Sequence, residues 1–333
     1  MKESDEARSP SLSTNPQVSV VMATYNAMPY LPLAVESILN QTLKEFRFII
    51  VNDGSTDESA GYLASLSDDR IEVVFQENSG QQAAANLGIS LCQTEYIARM
   101  DADDLAAPTR LEKQAALLNA RPEVGMVGSQ VHYLGKKNQG IVSSLPCQHE
   151  KIYEELIHNR HAMCNSSTMF RTQLFRDLGG YWEYDISEDW DLFLRIGEQS
   201  RLANLDEPLL SMRFHVGSIN GRRMAESQLH NEYACELARR RNSGLEKISY
   251  EQFFDSCRYR RWPRSMFFKM DCYSVAHYRR AVAEILDGSK LIGYSRLAFS
   301  MLCSPGRTLH RLRRMLLHRR QKPDDSLDVD ASS

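Results

Sequence analysis

No stretch of this 333-residue chain reaches the roughly 20 consecutive apolar residues that a membrane-spanning helix needs. The first fifteen residues also lack an apolar run. They are rich in Ser, Glu and Asp and read as a disordered tail rather than a secretory signal. The seven cysteines (Cys92, Cys147, Cys164, Cys235, Cys257, Cys272, Cys303) are odd in number and never stand at C-x-x-C spacing. That argues against a disulfide framework or a zinc ribbon, and fits packing thiols in a reducing, cytoplasmic setting. A strong overall charge is absent too, the formal net charge being −3. This average hides two unlike parts: residues 221–320 hold about 21 Lys and Arg against about 9 Asp and Glu, so the rest is acidic. No nucleic-acid motif accompanies the basic part, and no nucleic-acid partner is expected.

What the chain does have is a rhythm. Val18–Ala23 is a continuous apolar run rich in β-branched residues, the mark of a strand buried on both faces. Apolar residues at helical spacing follow over Tyr30–Asn40, and the alternation repeats: strands over Phe46–Val51, Ile71–Phe75, Tyr96–Met100 and Gly125–Val131, helices over Gln82–Leu91 and Leu111–Asn119. This pattern predicts an α/β fold, an open, mostly parallel twisted sheet with helices on both faces. After Gly140 the rhythm is irregular, with a strand expected over Ser166–Phe170, helices over Thr172–Leu178 and Asp191–Glu198, and a strand over Leu209–His215. The expected organisation is a disordered tail (1–15), an α/β domain (16–220), a helical basic C-terminal region (221–320) and a second disordered tail (321–333).

In open parallel sheets ligands bind beyond the carboxyl ends of the strands. Three polar clusters fall there: Thr24-Tyr25-Asn26, Asp53-Gly54-Ser55 and Asp101-Ala102-Asp103-Asp104. Three carboxylates within four residues repel one another unless a cation sits among them. Their oxygens suit a hard ion, Mn²⁺ or Mg²⁺, which in turn holds a diphosphate; the plain alternative is a solvated acidic turn. Asp53 offers an acceptor for a base N–H such as that of uracil, or merely ends a turn in which Gly54 permits the bend and Ser55 or Thr56 caps a helix. Asp189, in Ser187-Glu188-Asp189-Trp190-Asp191, stands where a helix dipole keeps a carboxylate ionised, as a general base requires. His215, at an expected strand end, is either an ordinary core or surface histidine or a Mn²⁺-compatible ligand.

Taken in order, these pieces resemble the family 2 inverting glycosyltransferases of GT-A fold: Val18–Asn26, Val51–Asp57, Asp101–Asp104, Gly179-Gly180-Tyr181, Glu188–Leu192, and His215 followed by Ser218. The resemblance runs from Pro16 to Asn220. It implies that Ala23, Thr24 and Tyr25 line a nucleoside pocket and that Asp53 contacts the base. Asp101 and Asp103 would form the D-x-D pair, with Ala102 between them in the donor site, and His215 would complete the metal site. Asp189 would be the base. Where the family often has Arg-Asn before a glycine, this chain reads Ala85-Asn86-Leu87-Gly88, so only Asn86 carries over to the donor site. The implied reaction moves a sugar from a nucleotide-diphosphate donor, expected to be a UDP-sugar, to a saccharide or lipid-linked saccharide in cell-surface polysaccharide synthesis.

Two other readings stand beside it. A sugar-1-phosphate nucleotidyltransferase would need a Gly-rich phosphate loop after the first strand, which Thr24-Tyr25-Asn26-Ala27 does not supply. A non-catalytic sugar-nucleotide-binding protein would have no need of Asp103 and Asp189. In the basic C-terminal part, Arg258, Arg260, Arg261 and Arg264 interleave with Tyr259 and Trp262, and arginines from Arg307 to Arg320 punctuate apolar residues. This is either the solvated face of a helical cap or a peripheral contact with the anionic inner face of the cytoplasmic membrane.

Overall fold

The computed structural model describes residues 16–134, 140–182, 188–213, 224–256, 264–286 and 288–309. Strand β1 (Val18–Thr24) shows why the fold has two apolar layers. Val18, Val20 and Met22 enter one, and Val21, on the alternate pleat, enters the other. A strand buried on both faces belongs inside a sheet covered on both sides. It pairs in parallel with β2 (Phe46–Asp53) and β4 (Tyr96–Asp101), and β3 (Ile71–Gln76) adds in parallel to β2.

Beyond β4 the sheet changes direction. Strand β8 (Met169–Arg171) runs antiparallel between β4 and β6 (Val124–Leu134), and β9 (Arg201–Arg213) lies parallel to β6. The short strands β5 (Leu105–Ala106) and β7 (Gly140–Val142) pair antiparallel with β9 and β6. The order is β3-β2-β1-β4-β8-β6-β9-β5, with β7 on β6. Register places Ala23 opposite both Val51 and Asp101, so the carboxyl ends of β1, β2 and β4 lie level along one edge.

Helices α1 (Leu31–Leu39), α2 (Ser59–Ala64) and α4 (Arg110–Ala120) cover the first layer. Helices α3 (Gln81–Ser90), α5 (His149–Ile157), α6 (Thr172–Asp177) and α7 (Glu188–Gln199) cover the second. Helix α3 lies close on the sheet because residue 88 is glycine: a Cβ there would stand 2.7 Å from Val21 Cγ1 and 3.2 Å from Val51 Cγ2.

Most of the expected elements form with small shifts at their ends, and two differ in kind. The expected strand over Ser166–Phe170 is a 3-10 turn at Asn165–Ser167 followed by three residues of strand. The expected strand over Leu209–His215 starts earlier, at Arg201, since β6 offers a long parallel partner; His215 itself lies outside the described residues. The C-terminal region is helical, as expected, and its first helix packs on the sheet layer. This helix, α8 (Met224–Asn242), sends Ala234, Cys235 and Ala238 into the same apolar layer as Phe170 and Trp190. The Cys235 thiol donates to the Leu156 carbonyl at 3.2 Å, as a packing cysteine does.

Helix α9 (Tyr250–Ser256) then packs Tyr250 and Phe253 on Tyr233 of α8. Helices α10 (Arg264–Leu286) and α11 (Lys290–Cys303) form a hairpin in which Ser274 and Ser300, both buried, exchange hydroxyl-to-carbonyl hydrogen bonds of 2.9 and 2.7 Å. Among the described residues no helix is long and apolar enough to cross a membrane. Both expected tails, residues 1–15 and 321–333, lie outside the described residues.

The contact at Gly88 sets a stability prediction. Gly88→Val should lower the urea midpoint by an amount equivalent to about 1–3 kcal/mol, as overpacking against a close-packed sheet does. An unchanged midpoint would mean that α3 does not press on Val21 and Val51.

Candidate active site

The loops after β1 and β2 are stitched together by Asn26. Its backbone takes a left-handed conformation (φ 49°), which asparagine tolerates better than most residues. Its Oδ1 accepts the Thr56 N–H at 2.7 Å, and its own N–H donates to Ser55 Oγ at 3.0 Å. Ser55 and Thr56 are therefore not helix caps, contrary to expectation: the cap position of α2 is Glu58, and Asn26 claims both residues instead. Burial pushes the Asp57 carboxyl up, but hydrogen bonds from Ser59 and the Met28 N–H outweigh it and hold the group below its usual range.

Asp53, almost fully buried, ties β2 to the loop before α3. Its carboxylate accepts from Gln76 Nε2 (2.6 Å), the Ser79 N–H (2.8 Å) and the Gly80 N–H (2.9 Å). Gly54 follows at φ 71°, and a Cβ there would meet Asn78 N at 2.8 Å. Only glycine suits a left-handed position with a neighbour's backbone that close. Near this loop and the end of β1, Gln82 Nε2 and Thr24 Oγ1 are buried with no hydrogen-bond partner among the described residues. Buried polar atoms of this kind call for a ligand or water. Ala23 is half-buried and Tyr25 half exposed, on the same edge.

The acidic cluster divides. Asp104 turns inward, fully buried, where its Oδ1 accepts the Arg213 N–H at 3.1 Å; burial, with Asp101 and Asp103 beside it, pushes its carboxyl well above the usual range. Ala102 packs its methyl into the first apolar layer. Asp101 and Asp103 keep partial exposure. Burial pushes the Asp101 carboxyl up to about 6; Arg99 opposes the shift, while Asp103 and Asp189 add to it. Asp189, the second residue of α7, thus stands close enough to Asp101 to act on its proton affinity. Among the described residues, no three His, Cys, Asp or Glu side chains form a ready metal cage.

Two buried guanidiniums balance the acids, and sequence reasoning passed over one of them. Arg99 lies two residues before Asp101, on the same face of β4, with Nη2 at 3.8 Å from Asp101 Oδ1 and Nη1 donating to the Val21 carbonyl at 3.1 Å. The signal was present: a charged residue inside the apolar run Tyr96–Met100. Arg110, fully buried, donates to the Arg99 carbonyl (2.7 Å) and to Gln114 Oε1 (3.1 Å) from beneath the cluster. Ser166, also missed, accepts the Asp101 N–H at 3.0 Å.

Asn86 is a brace. Its amide donates to the Tyr181 carbonyl and accepts the Tyr181 N–H, both at 3.3 Å. Tyr181 packs edge-on against Phe175, which stacks on Phe170. Asp191 is another brace: it holds Arg195, whose guanidinium donates to the carbonyls of Leu178 (2.6 Å) and Gly180 (2.7 Å). The glycine turn is thereby fixed from both sides. His215 and Ser187 lie outside the described residues.

Comparison with known proteins gives this edge its context. Residues 19–179 match the family model described as glycosyl transferase family 2. The chain is 31% identical over 214 residues to an uncharacterized glycosyltransferase of Haemophilus influenzae, covering 60% of this chain and 66% of that protein. It is 32% identical over 204 residues to the O-antigen biosynthesis glycosyltransferase WbnJ of Escherichia coli, covering 60% of this chain and 80% of that protein. The chain belongs to glycosyl transferase family 2. Among solved structures, S. aureus TarS (residues 1–349) in complex with UDP superposes with a TM-score of 0.55 at 15% identity, covering 92% of each chain. The sheet of this family 2 glycosyltransferase therefore has the GT-A architecture that the resemblance implied, and a helical C-terminal region accompanies it.

The raised Asp101 carboxyl has a measurable consequence. Its unfolded value is 3.8 and its folded value about 6, so the folded chain holds the extra proton between them. The stability it contributes is present below the lower value and lost as pH rises through the upper. Without divalent cation or nucleotide, the melting temperature should fall from about pH 5 to about pH 7, and Asp101→Asn should flatten that fall. A parallel slope in the variant, read by scanning fluorimetry, would contradict the assignment.

Proposed function

We propose that this glycosyltransferase moves a sugar from a UDP-sugar to a hydroxyl of a saccharide or lipid-linked saccharide, with inversion at the anomeric carbon. The observation that supports the proposal is that Asp103 and Asp189 both raise the proton affinity of Asp101, at the carboxyl end of β4. The O-antigen role in WbnJ's name supports placing the reaction in cell-surface polysaccharide synthesis. The catalytic unit in this reading runs from residue 16 through helix α8, since α8 completes the second apolar layer.

The uridine would lie against Ala23, Thr24 and Tyr25. The unpartnered Thr24 Oγ1 supports this, because a buried hydroxyl there needs a hydrogen bond. Asp53 uses three acceptor positions on its own loop, and a carboxylate has about four, leaving one for the N3–H of uracil. Asn86 acts by holding Tyr181 and the glycine turn in place rather than by touching the donor.

The acidic pair fits a divalent ion. Asp101 and Asp103 would hold Mn²⁺ or Mg²⁺, with His215 as a third ligand. A full protein cage is not required, because such ions are commonly bound by one or two carboxylates together with substrate phosphates. Bound there, the ion neutralises charge on the departing diphosphate. Arg99 and Arg110 keep Asp101 from repelling the donor by holding counter-charge behind it. Asp189 takes the proton of the acceptor hydroxyl as its oxygen bonds to the anomeric carbon and the bond to the diphosphate oxygen breaks. One displacement inverts the centre.

Two variants separate these roles. Asp189→Asn should keep the calorimetric affinity for UDP with Mn²⁺ and lower transfer by about 10² to 10⁴, the usual contribution of a positioned base. Asp103→Ala should lose the Mn²⁺-dependent part of UDP affinity. Normal turnover by the first variant removes Asp189 from the role of base; unaltered metal dependence in the second removes Asp103 from the metal site.

A further inference from the structure

The helical hairpin carries its apolar residues on the wrong side for a soluble cap. In α11, Gly293 and Ser300 face α10 and are buried, yet Leu291 is 86% exposed and Leu302 75% exposed. With Ala298 these two recur at helical spacing on the side opposite Gly293 and Ser300, flanked by exposed Tyr294 and Phe299. The stretch 291–303 contains one charge, Arg296, which is turned inward to Glu284 at 2.8 Å. The outer side of α11 is therefore uncharged and apolar. On its partner helix, α10 exposes Lys269, Tyr273 and Arg280, which follow one another at helical spacing.

We infer that this outer face is a docking surface for an anionic lipid bilayer. At 14 residues α11 is about 21 Å long, too short to cross a hydrocarbon core of about 30 Å, and so lies in the interface rather than spanning it. Long basic side chains beside an apolar stripe reach the headgroups while their stems stay in apolar surroundings. Charge selects among occupants. Among the described residues of the hairpin, Lys269, Arg280 and Lys290 are exposed, while the acids Glu284 and Asp271 are paired with Arg296 and Arg307. A second copy seated on this face would bring the same positive charges against it, whereas an anionic leaflet attracts them. The inference stands apart from the transfer chemistry proposed above, although a lipid-linked acceptor would be met at the same surface.

The test is co-sedimentation of the full chain with vesicles of phosphatidylcholine containing one third phosphatidylglycerol, and with pure phosphatidylcholine. The wild type should pellet with the anionic vesicles and remain in solution with the neutral ones, and added salt should weaken binding. Leu291→Glu and Leu302→Glu should each reduce partitioning roughly tenfold or more, with an unchanged circular dichroism spectrum because both sites are exposed. Lys269→Glu with Arg280→Glu should reduce the preference for phosphatidylglycerol. Equal pelleting of the leucine variants overturns the inference. So does a wild type that stays in solution, including one that sediments as a dimer dispersed by Leu291→Glu.

Discussion

Like charge held together at the end of a parallel sheet is the constraint around which this protein is arranged. Asp103 and Asp189 both act on Asp101, and Asp101 and Asp103 in turn act on the buried Asp104. Carboxylates in such a group raise one another's proton affinity and would destabilise the fold if all were ionised and unopposed. The chain meets this in two ways. Arg99 and Arg110 are buried, with Arg99 donating to the Val21 carbonyl and Arg110 to the Arg99 carbonyl and Gln114 Oε1. Asp104 is withdrawn from solvent, with its carboxyl pushed well above the usual range. The remaining negative potential at the partly exposed Asp101 and Asp103 is what a metal–diphosphate would neutralise.

The rest of the edge holds the loops beside those carboxylates in register. Parallel pairing sets the ends of β1, β2 and β4 level, and the loops beyond them are cross-braced by polar side chains. Asn26 joins the first loop to the second, Asp53 joins the second to the third, and Asn86 fixes Tyr181 over the glycine turn. Each brace uses donors and acceptors on the loop backbones that would otherwise need water. A site assembled from four loops is thereby held as firmly as the sheet that carries it. The C-terminal hairpin turns apolar and basic residues outward, a second surface with its own chemistry.

Much of this was legible in the sequence. Continuous β-branched runs ending in polar clusters located the strands and the edge, and the order of the acidic motifs carried the family resemblance. What escaped notice depended on three-dimensional pairing. Ser55 and Thr56 look like helix caps by position, but a left-handed Asn26 some thirty residues away claims them. Asp104 and Asp101 are indistinguishable by residue type; which one faces inward is decided by the Arg213 N–H on a distant strand. The packing of α8 on the sheet layer was hidden because α8 is nearly non-periodic, with Ala234, Cys235 and Ala238 as small residues that bury without an apolar stripe. The outward apolar face of α11 reads in sequence as an ordinary core helix, and only its neighbours show that the core lies on the other side.

The central claim is that distant carboxylates are gathered to meet one cation at the sheet edge. It is tested most directly by a crystal grown with UDP and Mn²⁺ and measured for anomalous scattering. The account predicts one strong peak in contact with the Asp103 carboxylate and the diphosphate, with Asp189 facing it across the sugar site. A UDP molecule bound at this edge with no peak beside Asp101 and Asp103, or with the metal held elsewhere, would contradict it.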